Sequence, residues 1–418
     1  MFEFIFNGTA TSSSIPAIQC LTDPNTTCKT CPTTLTPEGK KNIRRNTSGI
    51  LRKRITEVLD DGNGGMETQE RDLVIVIDVG KTFLQAAMEW FPKYGLRKID
   101  AVLLTHSHAD ATNGLDDLRG WTLNAAIQSH LDIYVNAPTF NEIKRAFPYL
   151  VSSGLATGGG AVPEFRWHMI EDSVSFSVGG ENGFWITPVA VDHGLQFPPP
   201  KPISNIPLDR IHGPLNLDSP GTRTPAPIST SQPAATDQTS PLEPPRREPY
   251  KCLSFIFNNS LVYMSDVSNI PDEQWPTLLQ PPTQFEMGSP AAVEHVNVRP
   301  TRANHKVFIV DVLRPFPYAS HFGLDQAVQA VRKMGAARNY ILGFNHDMNH
   351  DQWTAIGEAI GQPRESWAQC TDPDVKAALD LVSEGSAAWV RPAFDGLRIV
   401  IPEPEDGLDA SLVDGDGQ

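Results

Sequence analysis

The sequence predicts an α/β fold that assembles one site from the ends of several strands. Three observations point there. Apolar, β-branched runs such as Leu73-Val74-Ile75-Val76-Ile77 alternate with amphipathic helical stretches such as Phe83 to Tyr94. One run, Ala101 to Leu104, stops abruptly at Thr105-His106-Ser107-His108-Ala109-Asp110, and two alternate histidines with a carboxylate are the residue types that hold a transition-metal ion. Three more strand ends carry His193, Asp266 and His346. Each alone is a weak signal, but α/β folds gather ligands from distant parts of a chain in this way.

Length and composition set bounds. With 418 residues, 40% of them hydrophobic, the chain can bury a sizeable core. A formal charge of -15 argues against a broad basic surface for tracking nucleic acid and favours a small substrate. Five cysteines, an odd number in a long chain, do not make a disulfide framework, and Cys28-Lys29-Thr30-Cys31 reads as part of a metal clip. The opening Met1 to Gly8 lacks a basic leader and no apolar stretch approaches transmembrane length, so the expected location is cytoplasmic, with the nucleus also open, and no membrane partner is expected.

In chain order, Phe2 to Phe6 alternates as a first strand and gives way to the small-residue loop Gly8 to Pro16. Cys20, Cys28 and Cys31 follow, then Arg44-Arg45, which are either phosphate ligands or simply solvated. Asp60 to Gly65 is a turn before the buried strand Leu73 to Ile77, which Asp78 terminates. Strands are also expected at Leu131 to Val135, at Phe184 to Val191 before Asp192-His193, and at Cys252 to Phe257 and Leu261 to Met264, a hairpin ending at Ser265-Asp266. Val307 to Val310 is another strand, with His321 before a helix at Leu324 to Met334. Tyr340 to Phe344 leads to His346, with His350 shortly after, and Phe394 to Ile401 closes the fold. Residues 198–249 are crowded with Pro, Ser and Thr and read as a disordered insertion, within which His212 would be a poor ligand. A second insertion is expected from Gln280 to Asn304. One domain is therefore expected over residues 1–402, carrying these insertions, with an acidic tail at 403–418.

The segments Ile77-Asp78-Val79-Gly80-Lys81 and Thr105-His106-Ser107-His108-Ala109-Asp110-Ala111 resemble those of the metallo-β-lactamase-fold hydrolases. The likeness is to the branch containing the phosphoribosyl cyclic phosphodiesterase of phosphonate breakdown and its plant and fungal relatives, and it covers most of the chain. It implies an αββα sandwich and a metal-dependent hydrolase acting on a small phosphodiester, cyclic ones included, through an activated water. Carried over residue by residue, it makes His106, His108 and His193 the nitrogen ligands of a zinc or manganese ion, with Asp266 bridging to a second ion held by Asp110 and His346. It makes His321 the general acid near the leaving oxygen. Asp78 would support the metal-binding loops from behind, or else cap the helix near Lys81. It also implies a structural zinc on Cys20, Cys28, Cys31 and His350. Cys252 reads as core. The family motif continues HxHxDH, whereas Ala111 stands at the last place, so the second ion loses a nitrogen. Other readings are a tRNA 3′ processing nuclease, a thioester or lactam hydrolase of the same fold, and a non-catalytic scaffold with a degenerate site.

Overall fold

The computed structural model describes residues 1–60, 66–158, 160–196, 247–281, 305–403 and 414–415. Both expected insertions, with His212, lie almost wholly outside these residues, as does most of the acidic tail. The chain divides into a main unit, Met1–Gly194 with Tyr250–Gln418, and a second unit, Leu195–Pro249.

Among the described residues, fifteen strands form two sheets. The first holds β1 (Phe2–Gly8), β2 (Ser48–Asp60), β3 (Met66–Ile77), β4 (Ala101–Leu103), β5 (Leu131–Val135), β6 (Phe165–Met169), β14 (Arg398–Ile401) and β15 (Asp414–Gly415), in the order β15-β14-β1-β2-β3-β4-β5-β6. The second holds β7 (Phe176–Val178), β8 (Phe184–Leu195), β9 (Pro249–Phe257), β10 (Leu261–Met264), β11 (Val307–Asp311), β12 (Arg338–Leu342) and β13 (Val390–Pro392), in the order β13-β12-β11-β10-β9-β8-β7. The acidic tail contributes β15, which pairs antiparallel with β14, Ile399 opposite Asp414.

The reason for the continuous apolar runs is burial on both faces. Leu73, Ile75 and Ile77 of β3 point into a core shared with Phe255, Tyr263 and Ile309 of the second sheet. Their neighbours Val74 and Val76 point the other way, against Phe83, Ala87 and Phe91 of the Phe83–Tyr94 helix. Strand alternation thus fills two interfaces from one sequence run. The outer face of the second sheet, Val262, Phe308 and Val310 among others, packs on Val328 and Val331 of the Leu324–Met334 helix and on Trp353 and Ile356 of the His350–Ile360 helix. Helix, sheet, sheet, helix are the four layers that the resemblance implies.

This layering places the site. Strands β3 to β6 run parallel in the first sheet, and β10 to β13 run parallel in the second. Asp78 follows β3, the His106 loop follows β4, Asp266 follows β10 and Asp311 ends β11.

Candidate functional site

The turn after β3 and the loop after β4 are locked together by backbone. Asp78 N–H donates to Leu103 O at 2.9 Å and Val79 N–H to Ala111 O at 2.9 Å. Gly80 is needed for this fit, since a Cβ there would lie 1.8 Å from Asp110 O. Asp78 itself adopts φ 57°, which turns its buried carboxylate onto Thr105, accepting the amide at 2.8 Å and the hydroxyl at 2.7 Å. With its proton given to Asp78, Thr105 Oγ1 accepts from His106 Nδ1–H at 2.8 Å. That chain fixes the tautomer and leaves His106 Nε2 as a bare lone pair. Asp78 therefore acts through Thr105 on a candidate ligand, and the helix that begins at Phe83 has no side-chain cap.

Three imidazoles converge. Ring centroids are 4.6 Å apart for His106 and His108, 5.1 Å for His106 and His193, and 5.0 Å for His108 and His193. His193 Nδ1–H donates to Ser320 O at 2.6 Å, so its Nε2 faces inward, 3.2 Å from His108 Nδ1. Burial pushes the His106 ring well below its ordinary pKa, and the neighbouring histidines add to this; burial first, then His193, lowers His108. Neutral imidazoles are the form a metal takes. Burial would raise Asp266, but the field of His106, His193 and His321 outweighs it and holds the carboxylate at about 2.

The residues fit a divalent ion. His106 Nε2 is buried without a hydrogen-bond partner, a condition that costs about 1–3 kcal/mol unless something occupies the lone pair. Ligating atoms of His106, His108 and His193 all lie within 4.8 Å of one another, as do those of His106, Cys252 and Asp266, and those of His193, Asp266 and His321.

His321 is backed by a residue that sequence reasoning missed. Its Nδ1–H donates to Asp311 Oδ2 at 2.7 Å, and Asp311 is fully buried. Burial lowers His321, but Asp311 and then Asp266 overcome it and raise the ring to about 9; burial raises Asp311 to about 7 against the pull of His321. The signal for Asp311 was present as the residue that ends the Val307 to Val310 run. Tyr250 was also missed and has no such signal: its ring stacks on His108 at 4.7 Å and 8°, and its hydroxyl accepts the Ser107 amide at 3.1 Å. Cys252, expected as core, is buried with Sγ 3.8 Å from His106 Nδ1, so the core and the site meet there.

Residues 74–206 match the family model described as the beta-lactamase superfamily domain. A diphosphatase of the PhnP family has a similar structure, with TM-score 0.53 and 19% identity, covering 95% of this chain and 96% of that one. This chain has the metallo-β-lactamase fold. Yeast PDE1 (TM-score 0.47, 10% identity, 95% of this chain and 98% of that one) and the short form of human tRNase Z (TM-score 0.43, 11% identity, 96% and 99%) are also similar in structure. No curated protein sequence matches the chain.

Two expected assignments are corrected by the structure. His346 is not at the histidine cluster. It faces the amino-terminal cysteines, its Nδ1 3.3 Å from Cys20 Sγ and 3.4 Å from Cys28 Sγ, and Cys20, Cys28, Cys31 and His346 form one four-ligand group. His350 is not with the cysteines. As the first residue of its helix it is pinned elsewhere: its N–H donates to Asn42 Oδ1 at 2.7 Å, and its Nδ1 accepts from the buried Arg44 at 3.2 Å. The cause is local. The turn in which Asp347 N–H donates to Asn345 Oδ1 at 3.0 Å aims His346 at the cysteine loop before the helix starts. Arg44, open above as a phosphate ligand, is committed inward, to Thr9 Oγ1 at 2.9 Å and Ala393 O at 2.6 Å.

With His346 elsewhere and Ala111 contributing only a buried methyl, the expected second active-site ion keeps just Asp110 and Asp266 of its predicted ligands. Asp110 is raised, by burial first and by Asp266 next.

The cysteine group has its own chemistry. Burial raises Cys28, but the Cys31 amide and His346 outweigh it and bring the thiol to about 7. Burial pushes Cys31 up to about 12. All five cysteines are free. Three thiols and one imidazole within 4.8 Å fit a closed tetrahedral ion site.

Proposed function

We propose that this protein is a metal-dependent hydrolase that cleaves a small phosphodiester, with one zinc or manganese ion at the active site and one structural zinc. The observation that carries the reading is the orphaned His106 Nε2, whose ring belongs both to the group with His108 and His193 and to the group with Cys252 and Asp266. His106, His108, His193 and Asp266 would hold the active-site ion. Such an ion supplies activation of a water near neutral pH and stabilisation of charge on a phosphoryl oxygen.

The rest of the work falls to side chains. His321, kept protonated by Asp311, delivers a proton from its free ring nitrogen to the departing alkoxide. Asp110, at the start of the turn after His108, would orient the water. Tyr250 fixes the plane of His108. Cys20, Cys28, Cys31 and His346 would hold the structural zinc, which ties the first loop to the strand end after β12. A single active-site ion follows from the missing nitrogen ligands of the second. The substrate is expected to be small and phosphorylated, because a chain of charge -15 offers no broad basic surface to a polynucleotide.

Elemental analysis and hydrolysis of bis(p-nitrophenyl) phosphate test this together. Wild-type protein should carry two ions per chain, and His106→Ala should keep the structural one and lose activity by more than roughly a hundredfold. Protein that holds no ion at the histidines after zinc or manganese is supplied, or that hydrolyses the ester equally well as His106→Ala, refutes the proposal.

A further inference from the structure

Away from the histidines, a cavity of about 630 Å³ opens between the 37–45 segment, the second half of the Phe83–Tyr94 helix and Phe394-Asp395. Small-molecule sites are commonly about 300–1,000 Å³. Two aromatic side chains line it, Trp90 and Phe394. Trp90 is fixed from behind, because a Cβ on Gly396 would lie 2.4 Å from its ring.

Three lysines line the same cavity. Lys41 Nζ sits 4.6 Å from the Phe394 ring centre and Lys93 Nζ 5.3 Å from that of Trp90, with Lys40 beside them. Arg45, the fourth cation, is already bound to Glu89 and Asp395. Among the described residues none of the three lysines is in an ion pair, and Glu38, which also lines the cavity, pairs with none of them. In a chain of charge -15, three lysines gathered round one cavity repel one another and rest on ring faces for want of an anion.

We propose that this cavity is a second ligand site, for a small phosphorylated compound bearing a planar ring, of the nucleoside monophosphate class. A phosphate would draw Lys41 and Lys93 off the two rings, since an ammonium binds a phosphate dianion more strongly than a π face. The vacated faces of Trp90 and Phe394 then take the planar ring by stacking. Both halves of the ligand are needed: phosphate alone leaves the rings bare, and a neutral nucleoside leaves the lysines unpaired.

The test is isothermal titration of the full chain with AMP, adenosine and inorganic phosphate. It is done in a His106→Ala background, so that phosphate capture at the histidines does not contribute. AMP should bind with one-to-one stoichiometry, with adenosine and phosphate each at least tenfold weaker. Lys41→Glu/Lys93→Glu and the milder Lys41→Gln/Lys93→Gln, both checked for an unchanged thermal midpoint, should weaken AMP at least tenfold. The same lysine pairs in an otherwise wild-type chain should keep the diester hydrolysis. No heat with AMP in the His106→Ala chain, or AMP binding unmoved by both lysine pairs, overturns the site. Phosphate binding as tightly as AMP overturns the planar-ring ligand.

Discussion

His346 and His350, four residues apart on one short stretch, differ in what they can do because of what touches each. His346 offers Nδ1 to two sulfurs, whereas the corresponding nitrogen of His350 is taken by Arg44. His346→Ala should therefore release one ion per chain, and His350→Gln should release none, as read by elemental analysis. The second variant has a pH signature too. Burial first, then Arg44 and Lys41, lowers His350 to about 3 in the folded protein, against an ordinary value of 6.5. Between those values the unfolded chain binds the proton and the folded chain does not. Stability on account of this group is thus intact above pH 6.5 and falls as pH drops towards 3, by at most roughly 1.4 kcal/mol per pH unit. Thermal midpoints recorded from pH 7 to pH 4 should fall less steeply in His350→Gln than in wild type. Asp311 is a positioning residue of another kind, accepting from His321 Nδ1–H at 2.7 Å and from the Val267 amide at 3.3 Å. Asp311→Asn should lower kcat by roughly a hundredfold with KM little changed, and Asp311→Glu should recover part of the loss. An equal rise in KM would assign Asp311 to substrate binding instead.

The strand ends carry the site, and they hold their geometry by close backbone approach. Gly343, just past β12, has φ 83°, and a Cβ there would lie 2.1 Å from Asp311 Oδ1. Its amide also donates to Thr9 O at 2.9 Å. Gly343→Ala should lower the thermal midpoint by several degrees, the equivalent of about 1–3 kcal/mol, and lower kcat as well, because the carboxylate it displaces is the one that holds His321. This glycine also shows how far a sequence can be read. The strands Leu131 to Val135 and Leu73 to Ile77, and the helices Phe83 to Tyr94 and Leu324 to Met334, were legible because burial on one or two faces imposes its period on the residues. His106, His108, His193 and Asp266 were legible because each stands where an apolar run stops. The partner of His346 was not, since a turn of three residues decides whether position 346 or 350 meets the cysteines, and both place a histidine near the same helix start. Tyr250 reaches His108 only through the pairing of distant strands, which leaves no mark on spacing.

At the scale of the molecule, the main unit is interrupted between β8 and β9, and the two sides of the interruption are already joined. Gln196 N–H donates to Glu248 O at 2.8 Å, a backbone separation that a tight turn spans with two residues. The 50 or so residues between are therefore not required to bring β8 and β9 together, since loop length costs little closure entropy in either direction, about 0.6 kcal/mol per doubling. Replacing residues 198–246 with a short Asn-Gly turn should leave the thermal midpoint within a few degrees and the ion content at two per chain. Because Tyr250, the second residue of β9, stacks on His108, the same deletion separates two roles for the segment. If hydrolysis of bis(p-nitrophenyl) phosphate persists at wild-type kcat/KM, the site is complete in the main unit. If ions and midpoint are kept while kcat/KM falls, the segment supplies substrate contacts, and the residues to find are those that raise KM when the segment is shortened from its Pro-rich end.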